Sequence, residues 1–218
     1  MRTDMTAGKP MKILLDFTIP VFIGNVFQQF YSMVDTLIVG KFLGVNPLAG
    51  VGSTTSLNFM VLGFCMGVCN GFSIPVAQKF GAKDESGLRR FVANSVWLSV
   101  IFAAVMTVVV CILCRQILIW MDTPANILEG SYRYIFVIFL GIPVTYLYNL
   151  LSGIMRALGD SKTPLIFLIL SSVLNILFDL GAILILHMGV AGAAWATVTA
   201  QGISGVLCLI YMKKKYTI

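Results

Sequence analysis

Long uncharged runs separated by short charged turns organise this chain. Phe17 to Val34 is uncharged, with Asp16 just before it and Asp35 just after. Phe42 to Gln78 is uncharged throughout, and Asn46-Pro47 near its start reads as a turn, leaving a helix from about Ala49 to Val76. Phe91 to Cys114 is a clean run of 24 residues, and Tyr134 to Met155 is another. From Thr163 to Met212 only Asp179 and His187 can carry charge. That stretch is too long for one crossing, and His187-Met188-Gly189 divides it. Since a helix needs about 20 apolar residues to cross a bilayer, the pattern predicts an all-α, polytopic membrane protein. Its six transmembrane helices fall at about 13–38, 49–76, 91–114, 131–155, 163–186 and 190–212. Residues 1–12 form a cytoplasmic N-terminal segment and 213–218 a basic cytoplasmic tail. The runs are too long and too continuously apolar for the alternating strands of a membrane barrel.

Composition agrees. The chain has 218 residues, 58% hydrophobic and 11% charged, with a mean hydropathy of +0.93. A soluble domain is about 25% charged, and disorder needs low hydrophobicity with high net charge, so both classes are excluded. The 15 Lys+Arg against 9 Asp+Glu give +6. The basic residues sit between apolar runs, without a patch of interleaved aromatics on a polar background, so they point to a membrane surface and not to nucleic acid. Twelve lie on one side of the predicted spans: Arg2, Lys9 and Lys12; Lys79, Lys83, Arg89 and Arg90; Arg156 and Lys162; Lys213, Lys214 and Lys215. Lys41, Arg115 and Arg133, three in all, lie on the other. The bias puts both termini in the cytoplasm, as an even number of spans requires. No cleavable signal peptide is expected. The five cysteines all fall in apolar runs. Cys111 and Cys114 have C-x-x-C spacing but no second ligand pair, so they read as buried thiols.

Several local expectations follow. Gln116 to Glu129, with Trp120, is expected to lie along the outer membrane surface. Gly63, Gly67 and Gly71 form a stripe of small residues expected to be a packing face. Pro20, Pro75 and Pro143 are candidate bends. Asp84, Glu85 and the turn Arg156 to Asp160 read as solvated cytoplasmic turns.

Asp35 and Asp179 stand out, because an ionisable group inside a span is costly and marks function by default. At 1.5 Å per residue Asp35 lies roughly 33 Å along the first helix, and Asp179 about 24 Å along the fifth, both in the outer half. Asn175 lies four residues before Asp179, on the same helical face. Thr197 is about 10 Å down the sixth helix at comparable depth, while Thr199 faces nearly the opposite way. Tyr134 opens the fourth helix on the same side. Asn149 lies near the inner end of that helix and does not join the outer group by depth unless the helix bends. Carboxylates, an amide oxygen and hydroxyls are hard ligands suited to H⁺ or Na⁺, and a carboxyl removed from water binds a proton more readily.

These residues match a known pattern. Met33-Val34-Asp35-Thr36-Leu37-Ile38-Val39-Gly40, then Leu48-Ala49-Gly50-Val51-Gly52, resembles the opening of the MATE (multidrug and toxic compound extrusion) family. Arg156-Ala157-Leu158-Gly159-Asp160 with Thr163-Pro164 resembles its loop after the fourth helix. Asn175-Ile176-Leu177-Phe178-Asp179, and Gly189-Val190-Ala191-Gly192-Ala193-Ala194 with Ala196-Thr197 and Gln201, resemble its fifth and sixth helices. The resemblance runs from about Ile13 to Tyr211, in order and spacing.

The resemblance implies an antiporter, not an enzyme, exporting cationic or amphipathic drugs across the bacterial inner membrane in exchange for H⁺ or Na⁺, with no cofactor. It assigns the coupling-cation site to Asp35, Asn175, Asp179 and Thr197, with Pro20, Tyr134 and Asn149 in support. The family has two six-helix lobes, and this chain resembles the N-terminal one. The expectations are therefore a truncated product, a self-dimer, or pairing with a separately encoded second lobe. Two rival functions remain at this stage, a third, a membrane enzyme, being disfavoured for want of a His-rich metal set or a Ser/His pair. One is a flippase for lipid-linked saccharides from the same superfamily, disfavoured because no Lys or Arg lies deep in a span. The other is a non-transporting membrane module.

Overall fold

The computed structural model describes residues 9–215; Arg2 and the end of the tail, 216–218, lie outside the described residues. Eight helical segments follow one another: α1 (Pro10–Leu43), α2 (Val45–Gly81), α3 (Glu85–Trp120), α4 (Ala125–Leu140), α5 (Ile142–Ala157), α6 (Lys162–Leu180), a π-helical turn (Gly181–Ile185) and α7 (Gly189–Lys215). Among the described residues there is no strand. Five helices are long and apolar enough to cross a membrane, and α4 with α5, bent by 46° at their joint, make a sixth candidate. The two halves of that pair barely touch beyond the joint, while each packs on α2, α3 and α7. They therefore run end to end as one broken span and not as a re-entrant hairpin.

This broken span is the core of the lobe. Ile135, Phe139, Ile142 and Met155 are fully buried along it. On one side stand α2 and α3; on another α7, backed by α6; α1 closes the bundle against α6 and α2. With lipid as solvent, shape fit and hydrogen bonds between helices hold such a bundle, since apolar burial gains little from hydrocarbon. The break falls at Gly141. A Cβ there would lie 2.3 Å from Val198 Cγ2, so the backbone of the joint rests directly on α7. Pro143 sits in the first turn of α5, and without an N–H it cannot carry the hydrogen-bond ladder of α4 across the joint. Pro20 and Pro75, by contrast, lie inside unbroken helices.

The turns are built alike. After α2, α3, α5 and the π-turn, one residue takes a positive φ: Lys83, Asp122, Gly159 and His187. The N–H of the next residue then reaches back to a carbonyl of the last turn, as in Asp84 to Lys79 at 3.1 Å and Asp160 to Met155 at 2.9 Å. This is the Schellman closure of a helix C-terminus. Asp84 then caps α3 by accepting from the Gly87 N–H at 2.8 Å, and it pairs with Lys79 at 2.9 Å. The Gly87 N–H, the Lys79 ammonium and the Ser86 hydroxyl hold its carboxyl down to about 2.

Three local expectations are corrected. Gln116 to Glu129 does not form a segment of its own lying along the surface: α3 continues to Trp120, a tight turn follows, and α4 starts at Ala125. Gly63, Gly67 and Gly71 are exposed, and a Cβ on any of them would meet nothing within 4 Å, so the stripe is not a packing face within this lobe. Asp160 is not solvated but 1% exposed. It accepts from the Thr163 N–H and hydroxyl at 3.0 and 2.8 Å and from Lys215 Nζ at 3.1 Å. All five cysteines are free thiols.

Candidate functional site

Four helices each bring a pair of polar residues one turn apart to the interior: Tyr31 and Asp35 on α1, Asn175 and Asp179 on α6, Thr197 and Gln201 on α7, Thr145 and Asn149 on α5. The i, i+4 spacing stacks each pair on one face. Asp35 and Asp179 are buried, at 7% and 0% exposure, and their carboxyls meet across the α1–α6 contact. Asn175, also buried, donates through Nδ2 to Thr197 Oγ1 at 3.0 Å. Thr197 donates in turn to the Ala193 carbonyl at 3.1 Å.

What the site leaves open is four oxygens. Asp35 Oδ1, both oxygens of Asp179 and Asn175 Oδ1 are buried without a hydrogen-bond partner. Two ionised carboxylates have only lone pairs to offer each other, so their contact becomes a bond only when a proton or a cation enters. Tyr134 of α4 is buried and Tyr31 half-buried, each within electrostatic reach of both carboxylates. Among the described residues no group of three or more His, Cys, Asp or Glu is arranged to hold a metal ion. The oxygens that remain suit a proton or one hard monovalent cation.

The residues picked from the sequence separate into two groups. Asp35, Asn175, Asp179, Thr197 and Tyr134 come together. Asn149 stands apart, half-buried, with its Nδ2 donating to the Thr145 carbonyl of its own helix at 2.8 Å. Pro20 is buried in α1, fifteen residues before Asp35. Sequence reading missed Tyr31, Gln201 and Thr145. Thr145 Oγ1 donates to Gln201 Oε1 at 2.5 Å. The available signal was the spacing: Tyr31 and Gln201 lie four residues from Asp35 and Thr197.

Fold and site together define a polytopic helical membrane lobe built around an intramembrane acid pair. Known proteins place it further. The MatE family model matches residues 20–180, and the chain belongs to that family. It is 34% identical over 205 residues to the probable multidrug resistance protein YoeA of Bacillus subtilis, covering 91% of this chain and 44% of that protein. It is 33% identical to the probable multidrug resistance protein YpnP of the same organism, covering 97% of this chain and 47% of that protein. Among solved structures, an outward-facing multidrug resistance MATE family transporter of the MOP superfamily superposes with a TM-score of 0.90 at 26% identity, over 97% of this chain and 47% of that one. A MATE in its bent conformation gives 0.89 at 27% identity, over 98% and 48%. The chain thus spans about half the length of the relatives it matches, and it matches one six-helix lobe of these transporters.

Proposed function

We propose that this chain is the cation-coupling lobe of a multidrug exporter in the bacterial plasma membrane. It exchanges H⁺ or Na⁺ for cationic or amphipathic drugs and works with a second six-helix lobe, supplied by another copy or another polypeptide. The observation that carries the reading is the buried Asp35–Asp179 pair, which with Asn175 Oδ1 presents four oxygens without a hydrogen-bond partner. Such a pair is unfavourable while both charges stand bare in an apolar surround. A proton or Na⁺ arriving from outside relieves it. A drug cation held by the same negative charge then loses its counter-charge and leaves outward. The coupling ion shifts the conformation only through its differential affinity for the two states, and the α1–α6 contact, where the carboxyls meet, is where that difference arises.

Asp179→Asn tests this directly. The variant should fold and reach the membrane at the level of the unmodified chain, yet lose drug resistance and ion-coupled drug efflux from the transporter that contains this lobe. Undiminished resistance in that variant sinks the assignment.

A further inference from the structure

We propose that the open side of the α5–α7 contact is a phospholipid site. One acyl chain from the cytoplasmic leaflet lies in a groove there, against the joint of the broken span, and the lipid's phosphate meets Lys213 and Lys214. The groove has a volume of about 460 Å³, and it exists for want of a side chain. Val198, Gly202 and Val206 form one i, i+4 row of α7, and Thr199, Ile203 and Leu207 form the next. Gly202 leaves a notch in the first row. Val144 of α5 stands over that notch: a Cβ on Gly202 would lie 3.3 Å from Val144 Cγ1. Among the lining residues only Thr199 has a polar side chain. Val198, at the outer end of the groove, is the residue that bears on Gly141. Whatever fills the groove therefore packs against the joint.

Depth and chemistry select the occupant. With α7 running inward from Val190, as the bias of Lys and Arg places it, Val198 lies roughly 12 Å down and Leu207 about 26 Å down. The groove therefore starts near the middle of about 30 Å of hydrocarbon and covers the inner half, the depth of one leaflet's chain. Lys213 and Lys214 follow Val206 and Leu207 by seven residues, two turns along the same face, and both are exposed. Roughly 35 Å down, they stand at the level of the headgroups, where two ammoniums suit an anionic phosphate. Lys215 beside them turns to Asp160 instead. Around the groove α5 and α7 expose Leu147, Ile203, Val206, Leu207 and Ile210, a surface that hydrocarbon covers without loss. By contrast α1 exposes Asn25, Gln29, Ser32 and Thr36, and α2 exposes Ser56 and Asn70 beside its glycines. Those polar groups are costly against lipid, so water or the second lobe covers the α1–α2 side, and the bilayer covers the groove.

Fluorescence quenching by brominated lipid tests the site. The three tryptophans are first replaced (Trp97→Phe, Trp120→Phe, Trp195→Phe). One probe is then set at the rim of the groove, Leu207→Trp, or on the open face of α3, Ile112→Trp; both positions are exposed. The purified chain in detergent micelles is titrated with phosphatidylglycerol carrying brominated acyl chains. The groove probe should be half-quenched at an about tenfold lower lipid-to-detergent ratio than the α3 probe, because a chain in a groove touches protein on more than one side. Phosphatidylcholine with the same chains should bind the groove about fivefold more weakly, and Lys213→Gln with Lys214→Gln should erase that difference. Gly202→Leu, which fills the notch, should take away the advantage of the groove probe and leave the α3 probe unmoved. Half-quenching at equal ratios for the two probes means that the groove holds only solvent lipid, and it overturns the site, as does an advantage that survives Gly202→Leu. In vesicles made wholly of brominated lipid, a groove probe left unquenched beside a quenched α3 probe means that a protein surface covers the groove, and it overturns the site too. A preference for phosphatidylglycerol that survives Lys213→Gln with Lys214→Gln overturns the headgroup contact.

Discussion

At the scale of single residues, charge inside this lobe is placed in two opposite ways. Asp160 is buried with every need met: two bonds from Thr163 and a contact with Lys215. Lys215 Nζ also donates to the Tyr211 hydroxyl at 2.5 Å and lies 4.9 Å from the centre of that ring. Asp35 and Asp179 are buried with their needs unmet. The first arrangement is closed by its hydrogen bonds and the second is left open. Asp160→Ala strands the Thr163 N–H at the start of α6 and removes an anchor of the α7 end, so it should destabilise the lobe by about 2–3 kcal/mol. The check is an unfolding midpoint in mild detergent, where Asp179→Asn, by removing an uncompensated charge, should leave the midpoint level or raised. The sequence shows Asp35, Asn175, Asp179 and Thr197 because a polar group in an apolar run is conspicuous. It hides the role of Asp160, because a carboxylate in a charged turn reads as solvated and its partner lies 55 residues away. It hides Thr145 and Gln201 for another reason: a hydroxyl or amide in a span is ordinarily satisfied by its own or a neighbouring helix, and nothing in one chain's pattern says which helix is near.

At the scale of elements, the apolar runs locate the helices but not their ends. The α2 and α3 helices have 37 and 36 residues, roughly 55 Å at 1.5 Å per residue, against about 30 Å of hydrocarbon. They overrun their uncharged runs because a charged residue ends apolarity without ending a helix; capping does that, through Asp84 and through the positive-φ turns. The bend is a different case. Pro143, the visible candidate, follows the joint directly: without an N–H it cannot bond to the Phe139 carbonyl across it, and Gly141, lacking a side chain, lets the joint rest on Val198. At φ −78 Gly141 is not required for its backbone angle; it is required for lack of a side chain. Gly141→Ala should therefore push α4–α5 off α7 and destabilise the lobe by about 1–3 kcal/mol, the usual range for overpacking. Val198 is β-branched and cannot swing clear, whereas Val198→Ala in the same chain makes room. Recovery of the unfolding midpoint in the double variant checks the contact, and equal loss in single and double variants counts against it.

At the scale of the molecule, burial is uneven. Within their most apolar windows α1 is 11% buried and α7 39%, and the exposed Gly63–Gly67–Gly71 stripe of α2 is open. The half of the site on α1 thus belongs to the least enclosed helix, where a small change in packing moves Asp35 relative to Asp179. How the lobe sits in the membrane depends on the broken span. Were α4 and α5 a re-entrant hairpin, the chain would cross five times and its two ends would lie on opposite faces. End-to-end stacking makes six crossings, and the basic turns at Lys83 and Lys162 then share the cytoplasm with both ends, as the excess of Lys and Arg on that side requires. Single cysteines placed in a background free of the native five decide it. Asp122→Cys and His187→Cys should react with a membrane-impermeant maleimide on intact cells. Lys83→Cys and Lys162→Cys should react only after permeabilisation. If Asp122→Cys and Lys162→Cys are labelled from the same face, α4–α5 does not cross. Asp179 would then no longer approach from the outside, and the outward route for the coupling ion falls with it.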